Sequence, residues 1–381
     1  MSKMDEVLAE AVAAQDVPFV VAMAGNADEI TYSGAAGETG GRQAGEDTAF
    51  RIFSMTKAIG SLAAMMLIDR GRLSLDTPVA DILPEWDDLR VLDGWNGDAP
   101  ILRAPRTAAT VRHLATHTSG VEYEFWNADV ARYLQVTGNP TILSGTRESF
   151  GSYPLTSDPG TRWGYGPSID WLGRVVEEVD GRRIDAFCRE EIFDPLGMAD
   201  TAFEPDALTD RLSDVSIRGE DGTLGPFELA PPAQPEVYGM GHALYSTAPD
   251  YMRFLRMVLD KGELDGNRLL SKDAMTTLFA DQMQGLEVEK MVSVAPALSA
   301  DVSLFGGTRA THSFAFVRNE EDLPGMRRAG SLSWAGVCNT HYWIDPASDL
   351  CAVLMTQSLP FLEPPLVRTY EAYERAIYTG L

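Results

Sequence analysis

Apolar side chains recur at helical spacing directly after residue 57. Ile59, Leu62, Ala63, Met66 and Leu67 fall on one face of a 3.6-residue period, and Gly71 closes the segment. The pattern predicts a helix over residues 58–70. Similar periodicity, or a Thr cap or Pro at a helix start, predicts further helices over residues 1–15, 76–86, 110–116, 168–179, 184–192, 248–259, 272–279 and 364–378.

Runs of strand length lie at both ends of the chain. They predict strands over residues 17–24, 29–33, 313–317, 328–332, 340–344 and 350–356. Residues 87–106, rich in Asp, Gly, Pro and Arg, are predicted to be a loop. Strands at both ends with helices between them favour an α/β (α+β) fold, in which helices flank an antiparallel sheet and a second domain is mostly helical.

The same pattern predicts a discontinuous domain organisation, with approximate boundaries. Residues 1–75, 168–236 and 285–381 would form the α/β domain, with the C-terminal strands in its sheet. Residues 76–167 and 237–284 would form the helical domain. We expect an active site at the interface between them.

Composition excludes several classes of partner. The chain has 381 residues, 45% of them hydrophobic, and a formal net charge of −25, which argues against nucleic acid and anionic membrane surfaces. No stretch approaches the roughly 18 apolar residues of a membrane span, and residues 1–15 lack a secretory signal pattern. We therefore predict a cytoplasmic location. The widely spaced Cys188, Cys338 and Cys351 are predicted to be buried thiols.

Ser54 and Lys57 form the first candidate for chemistry. Positions i and i+3 share a helix face, so the Lys57 amine can reach the Ser54 hydroxyl and act as its base. Unpaired N–H groups at a helix start favour developing negative charge. The pair alone also fits an N-cap serine beside a solvated lysine. However, the chain has only five lysines, which makes one inside an apolar helix notable.

Tyr165 is the second candidate. It lies in a Gly/Pro-rich turn just before the helix that begins at residue 168, so its hydroxyl would be rigidly placed. A nearby cation such as Lys57 would favour the phenolate, which could serve as the general base for Ser54. The alternative is that Tyr165 has only a structural role, as an aromatic side chain packed between the loop and the core.

Several motifs in order along the chain resemble the serine β-lactamase-like superfamily. They are Ser54-x-x-Lys57, the Pro159-Gly-Thr-Arg-Trp-x-Tyr165 run, residues 117–120 (His-Thr-Ser-Gly) and residues 330–337 (Gly-Ser-Leu-Ser-Trp-Ala-Gly-Val). The chain is most similar to the class C β-lactamase-like esterases called family VIII carboxylesterases. The resemblance implies a β-lactamase/transpeptidase-like fold and acyl transfer through a covalent intermediate, with no cofactor and no metal.

Two departures from the class C pattern point to the substrate. Pro167 stands where the Tyr-x-Asn motif has its amide, so the side-chain hydrogen bond to a lactam is lost. Trp334-Ala335-Gly336 stands where the family has Lys-Thr-Gly, which replaces a cation with an indole. Both changes favour small, uncharged esters over β-lactams.

The implied mechanism assigns a role to each residue. Ser54 is the nucleophile, and Lys57 with Tyr165 acts as general base; because a free lysine has a pKa of about 10.4, Lys57 must be at least partly desolvated. The backbone N–H groups of Ser54 and Val337 would form the oxyanion hole, where one donor is typically worth about 3 kcal/mol. Candidate substrate-binding residues are Trp334, Ala335, Gly336, Tyr123, Phe125, Trp126, Tyr238 and His242.

Two alternatives remain open from the sequence. The first is an acyltransferase or amide hydrolase that uses the same three residues. The second is a penicillin-recognising binding or sensor protein with weak turnover. His113 and His117 are four residues apart, but Leu114 lies where a zinc protease has its Glu, so we predict no metal site there and a structural role for His117. His341 is predicted to pack on a strand.

Overall fold

The computed structural model describes residues 2–379. Their strands are β1 (Phe19–Gly25), β2 (Ile30–Thr39), β3 (Arg42–Gln43), β4 (Ala49–Arg51), β5 (Val91–Asn96), β6 (Ala99–Arg103), β7 (Val215–Arg218), β8 (Leu224–Phe227), β9 (Tyr245–Thr247), β10 (Glu263–Leu264), β11 (Asn267–Arg268), β12 (Ala310–His312), β13 (Val317–Asn319), β14 (Leu332–Gly336), β15 (Thr340–Asp345), β16 (Leu350–Met355) and β17 (Ser358–Leu359).

The helices complete the chain trace. The α-helices are α1 (Lys3–Ala13), α2 (Thr56–Asp69), α3 (Val111–Ala115), α4 (Ala128–Thr137), α5 (Arg147–Gly151), α6 (Ser168–Asp180), α7 (Ile184–Cys188), α8 (Asp194–Leu196), α9 (Ala248–Leu259), α10 (Lys272–Phe279) and α11 (Pro364–Tyr378). The 3-10 turns are Phe53–Met55, Val79–Asp81, Pro84–Asp88, Ile142–Ser144, Asp206–Arg211 and Leu304–Gly307, and Arg189–Phe193 is π-helical.

One eight-stranded antiparallel sheet joins the two ends of the chain. Its strand order is β12-β13-β14-β15-β16-β1-β2-β3, so β1 near the N-terminus pairs with β16 near the C-terminus. This confirms the predicted antiparallel sheet flanked by helices. On β1, Val20 and Ala22 face one core while Val21 and Met23 face another. Because side chains alternate along a strand, β1 is buried on both faces.

Different helices cover the two faces of the sheet. On one face, α1 and α11 pack against the strands through a core that includes Leu8, Trp343 and Tyr373. On the other face lies α9, and α2 belongs to the same larger core. Burial of these apolar faces, at about 25 cal/mol per Å², is the main force that holds the layers together.

Helix α2 is buried along most of its length, and its packing fixes the position of Lys57. Every residue from Thr56 to Leu67 is buried. Met240 fills the space beside two glycines: a Cβ added at Gly60 would lie 2.8 Å from Met240 Cβ, and one at Gly173 of α6 would lie 2.6 Å from Met240 Cγ. These small residues let α2 and α6 approach closely.

Most predicted helices and strands are confirmed, but several boundaries are wrong. The segment predicted as strand 313–317 is a turn between β12 and β13, because Ser313 Oγ accepts hydrogen bonds from the Ala315 and Phe316 N–H groups. The strand predicted at 328–332 begins only at Leu332. The segment 87–106 is not a loop throughout, since it contains the β5–β6 hairpin. The predicted helix 76–86 is two separate 3-10 turns.

Three further predictions concern cysteines, membranes and domains. Cys188, Cys338 and Cys351 are buried free thiols, as predicted. Among residues 2–379, no helix combines the length and apolar character that a bilayer crossing needs. The division into two domains stays a prediction; α9, from a segment assigned to the helical domain, packs on the sheet. The ends of the predicted α/β domain, residues 1 and 380–381, lie outside the described residues.

Candidate active site

Ser54 lies in a tight turn that joins β4 to α2. The turn Phe53–Met55 is 3-10 helical, and Phe53 adopts a φ of +40°, a left-handed conformation that costs energy for a non-glycine residue. The Ile52 N–H donates to Leu244 O at 3.1 Å, and Thr56 Oγ1 accepts from the Leu244 N–H at 3.1 Å. Ser54 therefore precedes α2 by one turn, and the segment around Leu244 holds this turn from the side.

Lys57 is almost completely buried, with 3% of its surface exposed, and its amine has three hydrogen-bond partners. Nζ lies 3.1 Å from Ser54 Oγ, 3.1 Å from the Tyr123 hydroxyl and 2.8 Å from Gly241 O. The amine therefore contacts the predicted nucleophile, a tyrosine hydroxyl and a backbone carbonyl. The structure thus brings together the serine and lysine of the predicted pair.

Gly241 and Asp170 lie behind Lys57, and neither was predicted as a site residue from the sequence. The Gly241 N–H donates to Asp170 Oδ1 at 3.1 Å, and Asp170 is fully buried on α6. A Cβ at Gly241 would collide with the Asp170 carboxylate, so only glycine allows this approach. The glycine-rich run Gly-Met-Gly-His-Ala around residue 241 indicated a close approach of the backbone. Its side chains do not indicate that a backbone carbonyl binds the Lys57 amine.

The Tyr165 ring lies beside the Lys57 amine. Its ring centroid is 4.9 Å from Lys57 Nζ, and its hydroxyl accepts a hydrogen bond from Trp334 Nε1 at 3.0 Å. The His117 ring packs against it with centroids 4.9 Å apart. Tyr165 and Trp334, which are far apart in sequence, therefore meet beside the Ser54–Lys57 pair.

Tyr123, which was predicted to line the substrate pocket, is buried and binds Lys57 directly. Besides its contact with Lys57, its ring stacks on Phe125 at 4.8 Å, and Phe125 in turn contacts Trp126. Burial raises the pKa of Tyr123 well above its usual value, so its hydroxyl stays neutral. Trp126 and Tyr165 both line a small cavity of about 120 Å³.

The end of β14 lies against the Ser54 turn. A Cβ at Gly336 would collide with Ile52 O, so the strand approaches the turn through a glycine. Val337 follows and packs in the same small cluster as Phe53. Ala335 alternates with Trp334, so its side chain lies on the opposite face of the sheet from the indole. This geometry brings the Val337 backbone near the Ser54 turn.

Two predicted pocket residues lie elsewhere. Tyr238 packs on Phe203 at 4.8 Å and donates its hydroxyl to Glu204 at 2.6 Å, so its contacts do not include Ser54 or Lys57. His242 is buried behind the site, with Nδ1 3.3 Å from Asp170 Oδ1, and is not at a pocket rim. In both cases tertiary packing directs the ring away from Ser54 and Lys57.

The other histidines have structural surroundings. His113 Nδ1 accepts from the Thr110 N–H at 3.2 Å in the cap of α3. His117 has a φ of +55° and, with its ring on Tyr165, braces the turn before Gly120. His341 packs between Phe361 and Tyr370. Within residues 2–379 we find no group of three or more His, Cys, Asp or Glu side chains placed to hold a metal ion.

Comparison with known proteins connects this geometry to acyl-transfer chemistry. The chain is 31% identical over 350 residues to lovastatin esterase from Penicillium rubens, covering 87% of this chain and 86% of that protein. It is 29% identical over 345 residues to monacolin J acid methylbutanoyltransferase from Aspergillus terreus, covering 87% and 82%. These similarities support a serine acyl-transfer enzyme, either a hydrolase or an acyltransferase.

Solved structures agree on the fold. The LovD6 mutant of simvastatin synthase from Aspergillus terreus superposes with a TM-score of 0.85 at 28% identity, covering 99% of this chain and 96% of that one. A penicillin-binding protein homologue from Pyrococcus abyssi superposes at 0.71 with 20% identity, covering 99% and 77%, which shows the β-lactamase/transpeptidase-like fold alone. The Beta-lactamase family model matches residues 4–376, and the chain belongs to that family.

Proposed function

We propose that this protein is a serine carboxylesterase of the family VIII type that hydrolyses small, uncharged carboxylic esters. The observation that carries the proposal is the buried Lys57 amine 3.1 Å from Ser54 Oγ, beside Tyr165. A hydroxyl next to a buried amine and a fixed phenol is the arrangement that activates a serine nucleophile.

The proposed reaction has two halves. Ser54 Oγ attacks the ester carbonyl while its proton passes to Tyr165 and Lys57, and the carbonyl oxygen becomes an oxyanion held by the Ser54 and Val337 N–H groups. The C–O bond to the alcohol then breaks, and the alkoxide takes the proton from Tyr165. In the second half, water attacks the acyl-enzyme and gives a proton to Tyr165. The bond between the acyl carbon and Ser54 Oγ then breaks, Oγ takes that proton, and the acid is released.

The surroundings of the site support an uncharged ester. Trp334 presents an indole where β-lactamases have a lysine, and its N–H is used by Tyr165. Pro167, which directly precedes α6, offers no side-chain amide. Phe125 and Trp126, which are both partly exposed, provide further aromatic surface. A carboxylate-bearing β-lactam would find no cation at the Trp334 position, and we expect weak β-lactamase activity or none.

Acyl transfer to an alcohol is a second candidate. It uses the same acyl-enzyme on Ser54, and only the group that attacks it differs. The similarity to a methylbutanoyltransferase from Aspergillus terreus favours it. A penicillin-recognising sensor without efficient turnover is not favoured, because the Ser54–Lys57 contact is intact and the named relatives are an esterase and an acyltransferase.

Labelling and a substrate panel test the proposal. Fluorophosphonate labelling with peptide mass spectrometry should place the label on Ser54. The Ser54→Ala variant should lose label and activity, whereas Ser61→Ala, the matched change at a buried serine of α2, should retain the label. A label on another serine of active enzyme would refute the nucleophile.

The substrate panel separates the activities. It contains p-nitrophenyl esters of increasing chain length and a chromogenic cephalosporin, each with and without an added alcohol. We expect ester cleavage to be fastest, and free acid to be the main product. Faster cephalosporin cleavage would overturn the ester assignment, and an ester of the added alcohol as main product would favour the acyltransferase.

A further inference from the structure

Asp170 is a fully buried carboxylate that the proposed mechanism does not use. It lies in the first turn of α6, where the positive end of the helix dipole favours its charge. Oδ1 accepts a hydrogen bond from the Gly241 N–H at 3.1 Å, whereas Oδ2 has no hydrogen-bond partner among residues 2–379. A buried carboxylate with an unpartnered oxygen destabilises a protein core, and an apolar side chain of similar size would avoid that cost. Its presence therefore calls for a role other than stability.

The turn formed by residues 239–242 folds around this carboxylate. A Cβ added at Gly239 would lie 2.4 Å from Asp170 Oδ1, and one at Gly241 would lie 2.2 Å from Oδ2. The two glycines thus let the backbone approach the carboxylate on both sides. The His242 N–H donates to Gly239 O at 3.1 Å, which closes the turn, and His242 Nδ1 lies 3.3 Å from Asp170 Oδ1. Asp170 therefore contacts the turn at its beginning and at its end.

The same turn presents the carbonyl that binds the Lys57 amine. Gly241 O accepts from Lys57 Nζ at 2.8 Å, which is shorter than the 3.1 Å contacts of that amine with Ser54 Oγ and the Tyr123 hydroxyl. Gly241 carries both the N–H that Asp170 binds and the carbonyl that Lys57 binds. A displacement of this glycine would therefore move the nearest partner of the amine.

We propose that Asp170 is a positioning residue of the active site, which holds the Gly241 carbonyl in place and through it the Lys57 amine beside Ser54. The inference rests on the proposed esterase function, in which that amine takes part in the transfer of the serine proton. Reacting groups must be held within about 0.5 Å of their productive geometry. Loss of Asp170 should therefore slow the chemical step and lower kcat, while KM stays almost unchanged.

Two variants of similar size separate the hydrogen bond from the volume of the side chain. Asp170→Asn keeps an oxygen that accepts from the Gly241 N–H, whereas Asp170→Leu has no acceptor. With a p-nitrophenyl ester, Asp170→Leu should lower kcat by about 30-fold or more and change KM by less than about threefold. Asp170→Asn should retain kcat within about threefold. Asp170→Ser, whose hydroxyl is too short to reach Gly241, carries the same expectation as Asp170→Leu and replaces it if the leucine variant does not fold.

Asp345→Leu is the matched control for the loss of a buried carboxylate. Asp345 is also fully buried, and it also accepts backbone hydrogen bonds, from the Arg328 N–H at 3.0 Å and the Ser348 N–H at 3.1 Å. It ends β15, whose other end, Thr340, pairs with Gly336 near the Ser54 turn. Urea unfolding gives the folded fraction of each variant, and kcat is expressed per folded molecule. Asp345→Leu should lower the free energy of unfolding but change kcat by less than about twofold.

A double-mutant cycle with Gly241→Ala tests the route of the effect. If Asp170 acts through the Gly241 carbonyl, the combined loss in kcat is much smaller than the product of the two single losses. A combined loss equal to that product would refute the route. A normal kcat in folded Asp170→Leu would refute the positioning role, and so would an equal loss in Asp170→Asn, because the charge rather than the hydrogen bond would then be decisive.

The unmodified protein is assayed in the same series. Absence of ester hydrolysis by the unmodified protein would refute the proposed esterase function. Full hydrolysis by the unmodified protein together with unchanged kcat in the Asp170 variants would refute only the positioning role. The two failures are therefore distinguishable.

Discussion

The Trp334 indole N–H donates to the Tyr165 hydroxyl oxygen across 3.0 Å. This contact orients the phenol that we propose as general base, and its donor is the residue that we align with the lysine of the β-lactamase motif. In our proposal, the indole at this position therefore has a second role besides leaving the substrate pocket without a cation. It supplies a neutral donor that holds Tyr165 beside Lys57.

Replacing Trp334 by Phe should lower kcat/KM for a p-nitrophenyl ester by about tenfold or more, because a hydrogen bond to a reacting group is lost. Trp126→Phe is the matched control. Its Nε1 has no hydrogen-bond partner among residues 2–379, and we expect a change of less than about threefold. Equal effects in steady-state assays would show that the indole N–H has no catalytic importance.

The two tyrosines beside Lys57 should differ in importance. Tyr165→Phe should lower the acylation rate by about 100-fold or more, as expected for loss of a general base. Tyr123→Phe should lower it by about tenfold at most, because burial keeps this hydroxyl neutral and its hydrogen bond only positions the amine. Single-turnover measurements give both rates. The reverse order would transfer the general-base assignment to Tyr123.

Gly241→Ala should damage both stability and catalysis. The added Cβ would collide with Asp170 and move the carbonyl that binds Lys57 at 2.8 Å, with an overpacking cost of about 1–3 kcal/mol. Gly151→Ala in α5 is the control, since its Cβ would meet no atom within 4 Å. Urea unfolding and ester kinetics should show a loss in the first variant alone. A Gly241→Ala protein with normal activity would exclude the Gly241 carbonyl from the proposed mechanism.

Acid should destabilise the fold through its buried histidines. Burial lowers the pKa of His341 to about 3 and that of His312 to about 4. The unfolded chain takes up these protons below pH of about 6.5 while the folded chain does not, so the free energy of unfolding falls as pH decreases. Each histidine contributes up to about 1.4 kcal/mol per pH unit in that window.

His341→Phe removes one of these protons and keeps a ring between Phe361 and Tyr370. Urea unfolding at several pH values should therefore give a shallower decline than the unmodified protein shows between pH of about 6 and about 4. An identical decline would mean that His341 is protonated in the folded state or does not titrate in this window.

Local sequence patterns predicted the structure correctly where contacts between near neighbours in the chain decide it. The apolar period after residue 57 gave α2, and the Ser54–Lys57 contact follows from their spacing on one turn. The Thr110 cap of α3 was also predictable, because a cap involves neighbours in the chain. The β5–β6 hairpin was missed, since its segment is rich in loop-forming residues.

The sequence by itself determined the Ser54–Lys57 pair, the antiparallel sheet built from both termini and the resemblance that pointed to acyl transfer. Only the tertiary structure decided which partners the Lys57 amine binds, because Gly241 O and the Tyr123 hydroxyl reach it from segments 184 and 66 residues away. It also decided that Tyr238 and His242 turn away from the site. Such contacts depend on how whole elements pack, and no local pattern of side chains encodes them.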